Sequence, residues 1–223
     1  MERPEEYKCH LVSWDDAYSL TKRLARNIKS SGFKPDLVIG IARGGLVPAR
    51  IVCDFLHQKD LASIKAEHWG IASMLGKAKI KYSLPCEIEI SGKRILVVDD
   101  VVDTGETYSV ILDYFKEKGA CEIRTAALHY KTSSKFIPDY WGEKHEDWKW
   151  IIYPWAIYED MTGFVQKVLA ERKTPGALRK DLKSNFNIKI PGKELNEILT
   201  DMAQEGKLVR QKIKQKVFWE LVK

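Results

Sequence analysis

Apolar residues in the first 130 positions of the chain fall into two alternating patterns. Continuous apolar runs of about four to eight residues are typical of strands that are buried on both faces of a parallel sheet. Runs in which apolar residues recur every three or four positions are typical of helices that pack on such a sheet. The two patterns predict strands at 35–42, 61–66, 94–99 and 123–130, and helices at 13–32, 46–57 and 105–118. This alternation is typical of an α/β fold with a doubly wound, Rossmann-like parallel sheet.

The pattern changes near residue 162, where strands stop alternating with helices. The later residues predict three consecutive helices and then a hairpin, at 162–173, 175–186, 191–205, 208–210 and 217–222. Pro175 and Pro191 suit the first turns of the second and third helices. Because three helices and a hairpin are typical of a winged helix, we expect a large domain at 1–161 and a small winged-helix-like domain at 162–223.

The composition allows one large and one small core, since the chain has 223 residues of which 44% are apolar. No stretch is long and apolar enough to span a bilayer, and the first residues lack the apolar region of a signal peptide. We therefore expect a cytoplasmic protein with no membrane partner. The cysteines and histidines show no spacing typical of a zinc motif or a disulfide framework. They are Cys9, Cys53, Cys86, Cys121, His10, His57, His68, His129 and His145.

The net excess of positive charge is confined to the carboxyl-terminal part of the chain. Residues 162–223 have 14 Lys and Arg against 7 Asp and Glu, whereas residues 1–161 have 23 against 24. A basic small domain favours nucleic acid, but acids at near-helical spacing along its third helix would repel phosphates. These acids are Glu194, Glu197, Asp201 and Glu205. Nucleic-acid binding is therefore not expected, although the basic hairpin can still touch a nucleic-acid backbone, and a dimerisation or lid-supporting role is favoured.

The predicted strand at 94–99 ends in adjacent acids, Asp99 and Asp100, and leads into a glycine-containing turn that begins a helix. Backbone N–H groups at such a turn bind anions, while carboxylates accept hydrogen bonds from sugar hydroxyls or bind a phosphate-held Mg²⁺. The alternative is an ordinary buried strand before a helix that Asp103 or Thr104 caps. Because buried acids destabilise a core strand, the pattern favours a sugar-phosphate site.

A second candidate loop, at residues 42–45, follows the predicted strand at 35–42. Its glycines let the backbone approach an anion closely, and Arg43 supplies a fixed positive charge. Ligands of doubly wound sheets lie at the carboxyl ends of strands, so this loop and the turn at 99–107 are expected to face one another. A plain strand-to-helix turn is the alternative for this loop taken alone.

Residues 95–107 resemble the phosphoribosyl-diphosphate motif of the type I phosphoribosyltransferases. In that family, enzymes for 6-oxopurines have Asp before the Thr-Gly pair, as at Asp103, whereas adenine enzymes usually have Ala. Residues 150–155, Trp-Ile-Ile-Tyr-Pro-Trp, resemble a segment of the family's xanthine-guanine group. The resemblance extends over residues 11–160 and implies the type I phosphoribosyltransferase fold for the large domain.

The resemblance also implies a role for individual residues. Phosphoribosyl diphosphate is expected to bind at Asp99, Asp100, Asp103, Thr104, Gly105, Glu106 and Thr107. Its pyrophosphate is expected at Ala42, Arg43 and Gly44, where the family often has a cis peptide. The purine is expected to meet Lys131, Trp150 and Ile151, with Lys131 donating to O6 and Trp150 stacking on the base. Asp100 is the expected Mg²⁺ ligand, and Asp103 is the expected catalytic residue that accepts the proton lost by the base.

Two departures from the family pattern concern the hood loop and a second metal site. The usual Ser-Tyr pair of the hood is absent, and residues 65–69 stand there instead. Ala156 replaces an acid that often helps to bind Mg²⁺, so Glu159 or Asp160 is the candidate substitute. Lysines 77, 79 and 81, in an aperiodic segment at 69–86, are candidates for a mobile loop, with room for a short ribbon, that closes over pyrophosphate. Solvated surface charge is the equal alternative for these lysines.

Together these features imply a purine salvage enzyme. It converts a 6-oxopurine, which is guanine, hypoxanthine or xanthine, and phosphoribosyl diphosphate into the nucleoside 5′-monophosphate and pyrophosphate. A homo-oligomer, either dimer or tetramer, is expected. The alternative is a purine-responsive transcription regulator that uses this fold as a sensor and binds DNA through the small domain. The intact acids Asp99, Asp100 and Asp103 favour the enzyme.

Overall fold

The computed structural model describes residues 7–68 and 78–222. The strands are β1 (Cys9–Leu11), β2 (Leu37–Ile41), β3 (Leu61–His68), β4 (Ala78–Tyr82), β5 (Arg94–Val102), β6 (Glu122–Lys131), β7 (Tyr140–His145), β8 (Trp150–Ile152), β9 (Leu208–Ile213) and β10 (Lys216–Leu221). The helices are α1 (Trp14–Ser30), α2 (Leu46–Leu56), α3 (Glu106–Glu117), α4 (Ile157–Val168), α5 (Pro175–Phe186) and α6 (Gly192–Gln204). No helix in these described ranges is both long enough and apolar enough to cross a bilayer.

The described residues pack as two compact units, residues 14–148 and residues 7–13 with 149–222. The first unit contains a six-stranded sheet in the order β4-β3-β2-β5-β6-β7. Its pairs are parallel except for β3 with β4, so the predicted doubly wound α/β sheet is confirmed. The carboxyl ends of β2, β5 and β6 therefore lie at one edge of the sheet, where a ligand of such a fold binds.

Helices cover both faces of this sheet. Gly40 of β2 lies against Ala49 of α2, and Gly142 of β7 lies against Leu20 of α1. On the other face, Ile95 and neighbouring strand residues form a buried cluster with side chains of α3. Burial on both faces explains why β2 and the first half of β5 read as continuous apolar runs.

Strand β7 is the edge strand that the apolar pattern did not predict. It pairs with β6 alone among the described strands of the sheet, and its sequence, Tyr-Trp-Gly-Glu-Lys-His, contains no apolar run. An edge strand with exposed positions needs no such run. Part of the predicted loop at 69–86 is also a strand, since β4 pairs antiparallel with β3 as the expected short ribbon. Residues 69–77, including Lys77, lie outside the described residues.

The second unit has its own core. Buried side chains from α4, α5 and α6 meet Trp219 of β10 and Ile152 of β8, and β8 pairs in parallel with β1. Helix α5 begins as predicted, with Pro175 in its first turn and the Thr174 hydroxyl accepting a hydrogen bond from the Ala177 N–H at 3.3 Å. The predicted hairpin is present as the antiparallel pair β9 and β10. The assignment of these elements to a winged helix stays a prediction.

The first helix of this unit begins earlier than predicted. Helix α4 covers Ile157–Val168 rather than 162–173, and its first turn contains Glu159 and Asp160, which are favourable near a helix N-terminus. Packing places residues 149–161 with the second unit, whereas the sequence division assigns them to the first domain. Ile152 and Met161 belong to the second core, which explains this grouping. The domain boundary between 161 and 162 stays a prediction.

Candidate active site

The loop at 42–45 and the end of β5 lie in direct contact, as their positions at the sheet edge predicted. A Cβ atom added to Gly44 would overlap the Asp100 carboxylate. One added to Gly45 would lie 2.8 Å from the Ile41 carbonyl oxygen and 2.9 Å from the Asp99 Cα. Backbone atoms exclude a side chain at Gly45, and a side chain at Gly44 would displace the Asp100 carboxylate, so the loop packs against the strand tip. The peptide between Ala42 and Arg43 is cis, and Arg43 is exposed at this edge.

The two acids of the strand tip differ in their surroundings. The Asp100 backbone N–H donates to Asp99 Oδ1 at 2.9 Å. Poor solvation, and secondly the neighbouring Asp100 carboxylate, hold the pKa of Asp99 well above its usual range. Asp99 therefore keeps its proton to higher pH than an ordinary aspartate does. Asp100, which lies against the loop glycine, is the more suitable of the two to bind a cation.

The turn after β5 has the geometry of an anion site. Helix α3 begins after Gly105, whose φ of +85° lies in the left-handed region. A Cβ there would lie 3.0 Å from Ser134 Oγ and would overlap Phe136. Gly105, rather than Asp103 or Thr104, is the N-cap residue of α3, and the Thr104 hydroxyl accepts a hydrogen bond from the Glu106 N–H at 3.4 Å. Thr104 and Glu106 are exposed and Thr107 is half-buried, so the first turn of α3, where helix N–H groups favour an anion, is open to solvent.

Asp103 is held by Lys131 and by Trp148, which lies between β7 and β8. Lys131, at the end of β6, places Nζ 3.1 Å from Asp103 Oδ2. The indole N–H of Trp148 donates to Asp103 Oδ1 at 3.0 Å. Lys131 Nζ also lies 4.1 Å from the centre of the Trp148 ring, and its side chain is 4% exposed. Lys131, the expected donor to the purine O6, and Asp103, the expected acceptor of the purine proton, thus form one ion pair.

Trp148 is the residue that the sequence reasoning missed. It lies in the charged segment Glu146-Asp147-Trp148-Lys149, where no apolar period or motif marks it. A single aromatic residue among charged neighbours was the available signal. Its contacts with Asp103 and Lys131 make it a positioning residue for both.

The predicted purine residues Trp150 and Ile151 belong to the second unit, on β8. The Trp150 indole N–H donates to Asp160 Oδ1 at 3.2 Å, and the ring lies 6.4 Å from that of Phe164. Ile151 is buried and pairs with His10 of β1. Asp160, a candidate metal ligand, therefore serves the Trp150 indole in this structure, whereas Glu159 is exposed.

Two of the three loop lysines belong to the described residues. Lys79 and Lys81 are exposed on β4 and, two positions apart on a strand, lie on the same face. Lys81 Nζ lies 5.6 Å from the centre of the Tyr82 ring. Closure of these lysines over pyrophosphate stays a prediction.

Comparisons with known proteins agree with this geometry. The profile of the family described as "Phosphoribosyl transferase domain" matches residues 11–160. A xanthine-guanine phosphoribosyltransferase of Cereibacter sphaeroides is 32% identical over 162 residues, covering 69% of this chain and 90% of that protein. A hypoxanthine-guanine phosphoribosyltransferase of Saccharomyces cerevisiae is 29% identical over 139 residues, covering 55% and 62%. The crystal structure of a purine phosphoribosyltransferase from Pyrococcus horikoshii superposes with a TM-score of 0.58 at 33% identity, covering 66% of this chain and 93% of that one.

Proposed function

We propose, from the premise that this chain belongs to the phosphoribosyl transferase domain family, that it is a purine salvage phosphoribosyltransferase. It transfers the 5-phosphoribosyl group of phosphoribosyl diphosphate to a 6-oxopurine and releases pyrophosphate. The observation that carries this proposal is the Asp103–Lys131 ion pair at the carboxyl edge of the sheet, one strand away from the contact between Gly44 and Asp100. One edge thus combines groups suited to a purine with groups suited to a sugar diphosphate.

The phosphoribosyl diphosphate is proposed to lie along the two contacting loops. The turn from Asp103 to Thr107 supplies N–H groups at the start of α3 for the 5′-phosphate. The loop containing Ala42, Arg43 and Gly44 supplies a cation and closely approaching backbone for the pyrophosphate. Asp99 and Asp100 offer carboxyl oxygens to the ribose hydroxyls between these two anions.

The chemistry breaks the bond between C1′ and the pyrophosphate oxygen and forms the bond between C1′ and purine N9. Positive charge develops at C1′ as the leaving group departs, so Arg43 stabilises the negative charge that accumulates on pyrophosphate. The base must lose a proton, and Asp103 accepts it near N7. Lys131 donates to O6, because an ammonium has three N–H donors and can serve Asp103 and the base together.

Mg²⁺ fits the acids of the strand tip. A hard divalent ion prefers carboxylate and phosphate oxygens. Two adjacent carboxyl groups, one with a raised pKa, repel each other when ionised, and a bound cation reduces this repulsion. Asp100 is the proposed ligand. When bound, Mg²⁺ would neutralise charge on the diphosphate leaving group.

Several finer assignments rest on the resemblance alone. These are base stacking by Trp150, the contact of Ile151 with the purine, and a second Mg²⁺ ligand at Glu159 or Asp160. Assembly as a homo-oligomer and a cytoplasmic location are also proposals. Four free thiols, at Cys9, Cys53, Cys86 and Cys121, are compatible with a reducing compartment. No observation on the described residues favours the alternative of a transcription regulator.

One assay tests the proposal. The full-length protein is incubated with phosphoribosyl diphosphate, Mg²⁺ and, separately, guanine, hypoxanthine, xanthine or adenine, and nucleotide and pyrophosphate are both quantified. We expect equal amounts of the two products with at least one 6-oxopurine and little product with adenine. Pyrophosphate release without nucleotide, or efficient use of adenine, would contradict the assignment.

A further inference from the structure

Three potential metal ligands converge at the outer end of the sheet. The side chains of His129, Glu143 and His145 each offer a ligand atom, and these atoms all lie within 4.8 Å of one another. His129 is 1% exposed and His145 is 8% exposed, and their ring centres are 5.0 Å apart. The phosphoribosyl-transfer site uses none of these three side chains.

Strand pairing creates this cluster. In the parallel pair of β6 with β7, His129 is opposite Glu143 and Lys131 is opposite His145. Residues two positions apart on a strand point to the same face, so Glu143 and His145 lie on the face that His129 occupies. Glu143 and His145 follow His129 by 14 and 16 residues. These separations match no metal motif, which is why the spacing of the histidines predicted no site.

The distances suit a tetrahedral ion. Ligand atoms about 2.1 Å from a tetrahedral Zn²⁺ lie about 3.4 Å from one another. His145 Nε2 and Glu143 Oε1 are already 3.3 Å apart. Arg23 of α1 lies 4.0 Å from the other Glu143 oxygen. The Glu143 side chain is 45% exposed, which provides a path for the ion and for water.

We propose that His129, Glu143 and His145 bind a transition-metal dication of the zinc class, with water completing its coordination. Two imidazoles and one carboxylate favour Zn²⁺ over Mg²⁺, which prefers oxygen ligands and retains its water. The ion cross-links the ends of β6 and β7. Because Lys131 follows His129 by two residues and pairs with His145, this cross-link holds the strand end that carries Lys131.

Metal binding is measured on the full-length protein after chelator treatment and dialysis. Zn²⁺ is added in competition with a chromophoric chelator, in the presence of excess Mg²⁺, and Co²⁺ is added in a second experiment. We expect one tight Zn²⁺ per chain that Mg²⁺ does not displace, and visible absorption bands typical of four-coordinate Co²⁺. Glu143→Gln should weaken Zn²⁺ binding by at least about tenfold. Zn²⁺ should also raise the Tm of the unmodified protein but not of this variant.

Glu146→Gln is the matched control, since Glu146 is exposed, follows Glu143 by three residues and contacts Lys144 at 3.5 Å. It should bind Zn²⁺ as the unmodified protein does. His57→Asn removes an exposed histidine of α2's C-terminal end and should also leave binding unchanged. Absence of stoichiometric Zn²⁺ binding, or equal binding by Glu143→Gln and Glu146→Gln, would overturn the proposal. Glu143 is half-exposed, so its Gln variant is expected to fold even if His129 variants do not.

Discussion

Lys131 and Asp103 form an ion pair in which the lysine side chain is 4% exposed and the aspartate side chain is 38% exposed. Removing one partner of such a pair leaves the buried charge without compensation, so each residue depends on the other. Asp103, the proposed acceptor of the purine proton, is thereby fixed next to Lys131, the proposed donor to the purine O6. This coupling suits a 6-oxopurine, in which O6 and N7 lie on the same edge of the base.

Replacement of Asp103 separates chemistry from substrate binding. Asp103→Asn should lower kcat by about a hundredfold or more, because an amide cannot accept the proton of the base. The Kd for phosphoribosyl diphosphate should change little in comparison. Steady-state kinetics and a direct binding measurement check this pair of values. Asp113→Asn, at an exposed position of α3, is the control and should leave both unchanged. An unaltered kcat in Asp103→Asn would remove the proton-accepting role.

Replacement of Lys131 tests base recognition. Lys131→Met retains the apolar stem and removes the ammonium, so KM for the 6-oxopurine should rise by about ten- to a hundredfold. The relative use of adenine should increase, since the donor to O6 is gone. Both are measured by nucleotide formation with each base. Lys116→Met, on the exposed face of α3, should behave as the unmodified protein. Unchanged selectivity in Lys131→Met would assign base recognition to other residues.

The contact between Gly44 and Asp100 predicts that replacing Gly44 even with alanine impairs the protein. Gly44→Ala should impair binding of phosphoribosyl diphosphate and catalysis together, because the added methyl group displaces the Asp100 carboxylate. Gly163→Ala is the matched control, since nothing lies within 4 Å of a Cβ added there in α4. That change should leave activity intact and stabilise the protein by about 0.5–1 kcal/mol. A fully active Gly44→Ala enzyme would show that the two loops can separate without loss.

The sequence predicted which loops meet at the sheet edge, because each loop directly follows a strand, but it missed contacts that arise from pairing between strands. The acids from Asp99 to Asp103 and the Arg43 loop follow strands, so topology alone placed them at one edge. Trp148 and the partners of His129 come from β7 and the segment after it, where no apolar period exists. Glu159 or Asp160 stays the candidate second metal ligand, and both acids also lie in the first turn of α4, where acids favour a helix start.

Two aspartates should give opposite pH dependences of stability. The pKa of Asp99 is raised, so the folded state binds its proton more tightly and this residue destabilises the fold as the pH rises above the ordinary value of 3.8. The free energy of unfolding should therefore fall less for Asp99→Asn than for the unmodified protein as the pH rises from 3.8 towards neutral. Hydrogen bonds from Arg94 lower the pKa of Asp36 to about 2, so Asp36 stabilises the fold above pH 3.8 and loses this effect as the pH falls towards 2. Denaturant unfolding of both variants across pH checks the two signs, and parallel curves for the two variants would refute the assignment.

The basic hairpin and the acidic face of α6 predict weak, sequence-independent attraction to DNA. Lys212, Lys214 and Lys216 are exposed at the end of β9 and the start of β10, whereas Glu194, Glu197 and Asp201 lie at helical spacing along α6. Cations at the hairpin attract phosphates, but carboxylates on the helix repel the duplex from the element that a winged helix places in the major groove. We expect binding only at low salt.

Replacing the three lysines with glutamine should reduce the slope of log K against log salt concentration by roughly three. The measurement compares duplexes of unrelated sequence over a range of salt concentrations, and Lys29→Gln, on an exposed position of α1, serves as a charge control. Salt-resistant binding that discriminates between duplexes and depends on the hairpin lysines would instead restore the regulator as the function of the second unit.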